Sequence, residues 1–187
     1  GGLTSYTAGM NIYNCHVINS TISTFYTSTN YLGGMIGNAS GWSNLIEYCS
    51  VRNTTINGTH DDVGGFTGYN SQYTYYLNCF TDNIIVNNSG ISRFKIGGFI
   101  GYAYQRAFCF KCYAKGVINA GNCSEVGGFT GNIRLATDIN RDCYASVTVN
   151  ATGTYVGGYI GRLTAGVGAS PAELRNCYSN GLVTSVA

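Results

Sequence analysis

Short runs of alternating apolar and polar residues fill most of the chain. In CYASVTV (143–149), apolar side chains recur at every second position, which is the period of a β-strand with one buried face. Similar runs, rich in β-branched and aromatic residues, are separated by turn-forming Gly, Asn and Ser. No convincing amphipathic helix interrupts them, so the pattern predicts an all-β fold.

A glycine-paired motif punctuates these strands. It reads LGGMIG at 32–37, VGGFTG at 63–68, IGGFIG at 96–101, VGGFTG at 126–131 and VGGYIG at 156–161, and GGLTSY opens the chain in the same phase. The pairs begin at Gly1, Gly33, Gly64, Gly97, Gly127 and Gly157, at intervals of 32, 31, 33, 30 and 30 residues. Ordering a glycine pair costs conformational entropy. Its recurrence indicates a place where the chain turns or approaches another strand closely, so that a Cβ would clash.

A second segment, led by cysteine, follows each glycine pair. Its cysteines are Cys15, Cys49, Cys79, Cys112, Cys143 and Cys177. A strand-turn-strand unit of about 30 residues cannot bury its own apolar face, but copies stacked in register can. We therefore predict a parallel β-helix, or β-solenoid, of about six rungs that forms a single domain over residues 1–187.

Two sets of charged residues support this alignment. Asp62, Lys95 and Glu125 each precede the apolar residue of the motif, and Arg52, Asp82 and Lys115 each lie three residues after a repeat cysteine. Stacked rungs lie about 4.8 Å apart. Both sets would then alternate in sign at contact distance, whereas like charges would repel.

The combined motif resembles the GLUG repeat of bacterial surface proteins. The best matches pair VGGFTG with DCYASVTV (126–149) and VGGYIG with NCYSNGLV (156–183), and the resemblance covers essentially the whole chain. This sequence uses Phe, Met or Tyr where that repeat usually has Leu. The resemblance implies a cell-surface repeat module such as adhesin-like proteins contain. Some proteins with this repeat are peptidases, but their activity belongs to a separate domain that has no counterpart in this sequence.

The amino-acid composition limits where the protein is located and which partners it binds. A net charge of +2 gives no reason to expect nucleic acid, and no apolar run approaches the roughly 18 residues of a membrane span. An even set of eight cysteines and seven Asn-x-Ser/Thr sequons predict an extracellular, N-glycosylated protein. The sequon asparagines are Asn19, Asn38, Asn53, Asn57, Asn87, Asn122 and Asn150.

The cysteines outside the repeat pattern are Cys109 and Cys123. Cys109 and Cys112 form a C-x-x-C, but no second pair completes a zinc site, so we expect no metal or other cofactor. We predict a Cys109–Cys123 disulfide that closes a loop between two strands. The six repeat cysteines form either a buried thiol ladder or three rung-to-rung disulfides, and the ladder is favoured because parallel side chains strain disulfide geometry.

Catalysis has weak support in the sequence. A glycosidase or lyase needs carboxylates that converge across a cleft. The only adjacent acids are Asp61 and Asp62, whose side chains would point to opposite faces of a strand. The two histidines, His16 and His60, lie in different repeats and supply no paired catalytic base. We therefore predict a protein that is not an enzyme.

Aromatic residues are the stronger candidates for binding. Tyrosines crowd two successive loops and suit protein interfaces or sugar faces: Tyr69, Tyr73, Tyr75, Tyr76, Tyr102 and Tyr104. A further column after the repeat cysteines comprises Phe80, Tyr113, Tyr144 and Tyr178.

These observations predict a structural building block. The chain begins and stops in the same phase of the repeat without a polar cap. We therefore expect either a longer array or protomers that stack head to tail into a surface filament or coat. The alternatives are an adhesin stalk whose tyrosine-rich loops bind glycans or proteins, and, as a third reading, a β-helix enzyme acting on polysaccharide.

Overall fold

The computed structural model describes residues 1–24, 31–59, 62–90, 94–134, 139–164 and 172–185. The fold is an all-β parallel solenoid with a repeat of about 31 residues and about five turns, close to the six rungs expected. Its strands lie in four sheets that run along the stack, because each coil contributes one strand or strand pair to each sheet. The described residues contain no helix.

Sheets A and D flank the glycine pairs. Sheet A contains the strands just after each pair: β1 (Thr4–Ala8), β6 (Ile36–Ser40), β11 (Thr67–Asn70), β15 (Ile100–Ala103), β19 (Thr130–Arg134) and β23 (Ile160–Thr164). Sheet D contains the strands that run into each pair: β5 (Tyr31–Gly33), β10 (Asp62–Gly64), β14 (Lys95–Gly97), β18 (Glu125–Gly127) and β22 (Tyr155–Gly157).

Sheets B and C complete each coil. Sheet B contains β2 (Asn11–Tyr13), β7 (Asn44–Glu47), β12 (Thr74–Leu77), β16 (Ala107–Phe110), β20 (Ile139–Arg141) and β24 (Glu173–Arg175). Sheet C follows the repeat cysteines and contains β3 (His16–Ile18), β4 (Thr21–Ser23), β8 (Ser50–Arg52), β9 (Thr55–Gly58), β13 (Phe80–Asn88), β17 (Tyr113–Gly121), β21 (Tyr144–Ala151), β25 (Tyr178–Ser179) and β26 (Val183–Ser185).

Strand pairing confirms the predicted alignment. Gly33, Gly64, Gly97, Gly127 and Gly157 pair in register through the whole of sheet D. A Cβ built on Gly64 would lie 1.9 Å from the Thr67 carbonyl oxygen, and one on Gly65 would lie 2.0 Å from the Gly98 carbonyl oxygen. Neither residue has a positive φ. Close backbone approach therefore explains the glycine pair.

The interior is built from stacked apolar columns. One column after the glycine pairs contains Met35, Phe66, Phe99, Phe129 and Tyr159. The rings of Phe66, Phe99 and Phe129 stack at centroid distances of 4.8 and 4.9 Å. Each buried ring gains contacts from the coil above and below, which a single coil could not provide.

A turn that the sequence did not predict precedes each repeat cysteine. The residue there adopts the left-handed conformation in all six copies, with φ between 52° and 56°: Asn14, Tyr48, Asn78, Lys111, Asp142 and Asn176. Asn and Asp tolerate this region best. The recurring Asn-Cys pair was therefore a usable signal for a corner between sheets B and C.

The charge columns are confirmed in part. Lys95 Nζ lies 3.4 Å from Asp62 Oδ1, and Lys95 pairs in register with Glu125. In the second column, Arg52 pairs with Asp82, but a register shift after Thr81 intervenes before Lys115. Among the described residues, no ion pair joins that second set.

Candidate functional site

Sheets D and A meet at an outward-facing groove. The outward column of sheet D contains Tyr31, Asp62, Lys95, Glu125 and Tyr155. The facing column of sheet A contains Tyr6, Asn38, Tyr69, Tyr102, Asn132 and Arg162. The bend at the glycine pairs turns the two columns towards each other, so side chains from different sheets come into contact.

One half of the groove is aromatic. The Tyr31 and Tyr69 rings stack with centroids 4.3 Å apart, and Tyr69 lies 5.3 Å from Tyr102. Tyr104 packs edge-on against Tyr102 at 5.9 Å. Lys95 Nζ lies 4.5 Å from the centre of the Tyr102 ring, a cation–π distance. The faces of Tyr69 and Tyr102 are therefore covered largely by their neighbours.

The other half is charged and unusually buried for an outer surface. Asp62 and Glu125 are only 4% and 5% exposed. Arg162 Nη1 lies 2.7 Å from Glu125 Oε1, and Asn132 Nδ2 donates a hydrogen bond of 2.5 Å to Glu125 Oε2. Burial raises the pKa of the Asp62 carboxyl to about 6, although Lys95 opposes this shift.

A pocket of about 310 Å³ lies within the charged half. It is lined by Lys95, Tyr102, Glu125, Asn132, Arg134, Arg162 and Thr164. Asn132 is 5% exposed, and its Oδ1 is buried without a hydrogen-bond partner. An unpaired buried acceptor is costly. The neighbouring side chains cover this oxygen, so a hydroxyl donor would satisfy it only after one of them shifts.

Arg134 supplies the excess charge of this pocket. Lys95 is paired with Asp62 and Arg162 with Glu125, whereas Arg134 has no ion-pair partner within the described ranges. Its Nη1 donates a long hydrogen bond of 3.5 Å to the Tyr102 hydroxyl, and the guanidinium lies 5.6 Å from the Tyr104 ring centre. An exposed guanidinium with this freedom can receive a carboxylate or a similar anion.

The groove contains two carboxylates of the charge column that the sequence predicted, Asp62 and Glu125. Asp62 and Glu125 belong to coils on either side of Lys95, so they lie roughly 10 Å apart at about 4.8 Å per coil. Lys95 occupies the space between them, and both oxygens of Glu125 are engaged by Arg162 and Asn132. A sugar could not reach both carboxylates in this arrangement. Asp61 and His60 lie outside the described residues.

The six predicted binding tyrosines separate into different environments. Tyr69, Tyr102 and Tyr104 belong to the groove, whereas Tyr73 lies between the Trp42 ring at 5.2 Å and the Arg106 guanidinium at 4.1 Å. Tyr75 stacks on Phe108 on the outer face of sheet B. The prediction is wrong for Tyr76. Its side chain is fully buried and its hydroxyl donates towards Thr67 and Asn70.

Sequence reasoning missed Trp42, which at 71% is the most exposed large apolar residue in the part of the chain that the structure describes. The predicted column of Phe80, Tyr113, Tyr144 and Tyr178 does form on sheet C, with centroid distances of 4.7 to 5.1 Å and nearly parallel rings. Because these rings stack face to face, the interior members of the column present mainly their edges. That surface is a poor platform for stacking a sugar.

The predicted Cys109–Cys123 disulfide is absent from the structure, and none of the eight cysteines forms a disulfide. Cys109 lies inside sheet B, in register with Tyr76. Cys123 follows β17, whose nine residues extend roughly 26 Å between its ends. That separation exceeds the reach of a disulfide. The Cys123 thiol instead donates to the Gly90 carbonyl at 3.6 Å.

The six repeat cysteines stack as thiols in one interior column. Cys49, Cys79, Cys112 and Cys143 are fully buried, while Cys15 and Cys177 at the two ends are half-buried. From Cys49 onwards, each sulfur atom also contacts a carbonyl oxygen of the preceding coil, as Cys143 does with Cys109 at 3.4 Å. No group of three His, Cys, Asp or Glu among the described residues could hold a metal ion.

Five of the seven sequon asparagines lie in two hydrogen-bonded ladders on sheet C. The short ladder contains Asn19, Asn53 and Asn83, with Nδ2 to Oδ1 distances of 3.1 and 2.9 Å. The long ladder contains Asn57, Asn87, Asn119 and Asn150, with distances of 2.9, 3.0 and 3.0 Å. The remaining sequon asparagines are Asn38, which is half-buried in the groove, and Asn122, which is exposed.

Comparisons with known proteins return no relative. No protein-family model matches the chain, no curated protein matches it, and no solved structure matches its fold. The repeat architecture is thus shown by the structure, while the GLUG resemblance remains a prediction. Within the described residues, no helix is long and apolar enough to cross a membrane.

Proposed function

We propose that this chain is a non-enzymatic β-solenoid module that binds acidic carbohydrate in the groove between sheets D and A. The observation that carries the proposal is the pocket around Asn132, where a buried acceptor without a partner lies beside a guanidinium without an ion pair in the described part of the chain. A sugar carboxylate would pair with the exposed Arg134 guanidinium, and a sugar hydroxyl would satisfy the Asn132 oxygen once a side chain that covers it shifts.

The charge of the pocket favours an acidic ligand over a neutral one. Three cations, Lys95, Arg134 and Arg162, face two carboxylates, Asp62 and Glu125. The excess is therefore one positive charge, 3 minus 2, and Arg134 carries it. A bidentate guanidinium–carboxylate contact is directional as well as strong, so it would fix the orientation of the sugar.

The surrounding side chains suit the rest of a saccharide. Thr164 and the Tyr102 hydroxyl line the same pocket and can donate or accept hydrogen bonds. A second pocket shares Glu125 and Arg162 and adds Ser124, Thr154 and Tyr155. Polar groups therefore continue along the groove, as a ligand of more than one sugar unit would require.

The test compares two matched variants by isothermal titration calorimetry. Oligosaccharides that contain a uronic or sialic acid are titrated beside their neutral counterparts. Arg134→Gln should weaken binding of the acidic ligand about tenfold or more, because a hydrogen bond to a charged group contributes about 1.5–3 kcal/mol. Arg106→Gln removes the same charge at the Tyr73 stack, outside the groove, and should leave affinity unchanged.

Several outcomes contradict the proposal. Equal affinity for acidic and neutral sugars would remove the role assigned to Arg134. An equal loss in both variants would indicate non-specific attraction to positive charge. Release of reducing ends from an acidic polysaccharide would overturn the non-enzymatic assignment, since the Lys95 arrangement leaves the two carboxylates no shared substrate.

A second candidate function, favoured by the end coils, is structural. Exposed large apolar side chains concentrate there among the described residues: Leu3, Tyr6, Met10, Tyr13 and Ile18 in the first coil, and Tyr155, Leu163, Leu174, Tyr178, Leu182 and Val183 in the last. A further coil in the same register would cover them, whichever chain supplies it. Head-to-tail association of copies into a filament is one such arrangement.

Sedimentation at increasing concentration tests this second candidate. Leu182→Lys places a charge on the exposed face of the last coil, while Ile85→Lys places one on the outer face of sheet C in a middle coil. Self-association that is lost only in Leu182→Lys supports stacking through the ends. A monomer at every concentration contradicts it.

The extracellular, glycosylated and cell-surface character belongs to the proposal as well. It rests on the sequons and on the resemblance to a surface repeat. The cysteines no longer contribute, because they are thiols in the structure.

A further inference from the structure

We infer that the folded protein carries its N-glycan at Asn122, and that Asn53, Asn57, Asn87 and Asn150 are structural asparagines whose sequons stay unmodified. The inference is independent of the carbohydrate site. It rests on the two asparagine ladders and on the position of Asn122 outside them.

An interior ladder side chain uses both ends of its amide. Asn87 Nδ2 donates to Asn57 Oδ1 at 2.9 Å, and Asn87 Oδ1 accepts from Asn119 Nδ2 at 3.0 Å. Asn150 donates to Asn119 in the same way, and Asn57 donates to the Ser23 hydroxyl at 3.1 Å. Each interior amide therefore has one N–H and its carbonyl committed to neighbouring coils. At the ladder ends, Asn150 has one N–H committed, whereas Asn19 only accepts.

Glycosylation is incompatible with this stacking. The reaction joins Nδ2 to the anomeric carbon of an oligosaccharide, releases the lipid pyrophosphate of the donor and removes one of the two amide protons. The product must place a pyranose in a column whose members repeat about every 4.8 Å. Asn57 and Asn87 are direct neighbours, as are Asn19 and Asn53. Two glycans would compete for the space of two stacked amides.

The ladder includes an asparagine that is not a sequon, which separates the two roles. Asn119 is followed by Ala120 and Gly121, yet it occupies the same column and makes the same hydrogen bonds as Asn87. The column therefore requires asparagine for its hydrogen bonds. The sequons at Asn57, Asn87 and Asn150 arise where a Ser or Thr follows two residues later.

Asn122 differs in each respect. It is exposed in the turn that follows β17, where Cys123 N donates to the Ala120 carbonyl oxygen at 3.0 Å. Neither ladder includes it. A glycan there would project from the corner between sheets C and D without displacing a stacked side chain.

Site-resolved mass spectrometry tests the assignment. The chain is secreted from a eukaryotic host, and the folded material is treated with peptide N-glycosidase in heavy-oxygen water, so each modified asparagine becomes labelled aspartate. A flexible C-terminal tail that repeats the Asn87–Asn88–Ser89 sequon reports whether the host modifies this sequence outside the fold. We expect label at Asn122 and in the tail and none at Asn53, Asn57, Asn87 and Asn150, the ladder sequons whose N–H is already donated. Label at one of these four in folded protein, or none at Asn122 while the tail is labelled, overturns the inference.

Three variants made in a host that does not glycosylate test the structural role separately. Asn87→Ala and Asn119→Ala should lower Tm by similar amounts, because each breaks two ladder hydrogen bonds. Asn122→Ala should leave Tm unchanged. A destabilised Asn122→Ala, or an unaffected Asn87→Ala, contradicts the division between structural and modifiable asparagines.

Discussion

The buried carboxylate of Asp62 should make stability depend on pH in a direction opposite to that of an ordinary ion pair. Burial raises the pKa of Asp62 from 3.8 to about 6, the Lys95 ammonium opposes the shift, and Glu125 adds to it. At a pH between 3.8 and about 6, Asp62 is protonated in the folded state and ionised in the unfolded state. Stability contributed by this group is therefore full below about pH 4 and falls as the pH rises through 6.

The magnitude follows from the shift. About two pKa units correspond to about 3 kcal/mol at 1.36 kcal/mol per unit. Asp62→Asn keeps the shape and an oxygen that can accept from Lys95 N, which donates to Asp62 Oδ1 at 3.2 Å. The variant mimics the protonated acid. It should be more stable than the wild type at pH 7 by up to about 3 kcal/mol, with the difference vanishing near pH 4.

Urea denaturation followed by far-ultraviolet circular dichroism at pH 4, 5, 6 and 7 measures this difference. Asp82→Asn is the control, since it removes one carboxylate from the half-buried surface of sheet C away from the groove. The difference in unfolding free energy between Asp82→Asn and the wild type should not increase between pH 4 and pH 7. An Asp62→Asn difference that is flat with pH, or one that favours the wild type at pH 7, would refute the reasoning about burial.

Three further predictions concern the stack itself. Gly98→Ala should unfold the protein or cost several kcal/mol, because its Cβ would lie 2.2 Å from the Gly128 carbonyl oxygen. Gly121→Ala should cost only about 1–2 kcal/mol in thermal denaturation, because its Cβ would lie at an ordinary contact distance of 3.5 Å from the Asn88 carbonyl oxygen and only its φ of 47° is unfavourable. Equal costs would contradict the role of close approach. Tyr76→Phe should lower the free energy of unfolding by about 1–3 kcal/mol, because it leaves the Asn70 oxygen without its donor. Tyr75→Phe, on the outer face, should leave stability unchanged. The reverse order would show that Tyr76 is not the inward residue. A thiol reagent at pH 8 should label Cys15 and Cys177 in the native protein and all eight cysteines after denaturation. The other six are buried, and burial raises the pKa of Cys112. Rapid labelling of Cys79 or Cys112 in the native protein would contradict a closed interior.

The stacking was predictable because glycine marks backbone contact directly. The intervals between glycine pairs equal the register shifts between paired strands, as in Ile36 with Thr67 and Thr67 with Ile100. The inward position of Tyr76 was also readable, because Ile46 and Cys109 occupy the same place in neighbouring coils. Reading the tyrosines as a loop cluster concealed that alternation.

The groove was not predictable in the same way. Glu125, Asn132 and Arg162 come from three strands and two coils, and only the bend angle between sheets D and A brings them together. The asparagine ladders were concealed for a different reason. Asn57 and Asn87 lie eight residues after their cysteines but Asn119 and Asn150 lie seven, because the register shifts after Thr81. The sequon motif then offered a ready alternative explanation.

Each coil contributes one side chain to every outward column, so the surface is composed one position at a time along the axis. The glycine columns beneath carry the backbone contacts and tolerate no change, whereas a substitution at Asn132 or Tyr102 changes side-chain contacts within the groove. Copying one coil would lengthen the groove by about 4.8 Å and add one residue to each column. Duplication of a coil could therefore lengthen this surface, and point substitutions could change its side chains to suit a polymeric ligand, while the interior stays the same.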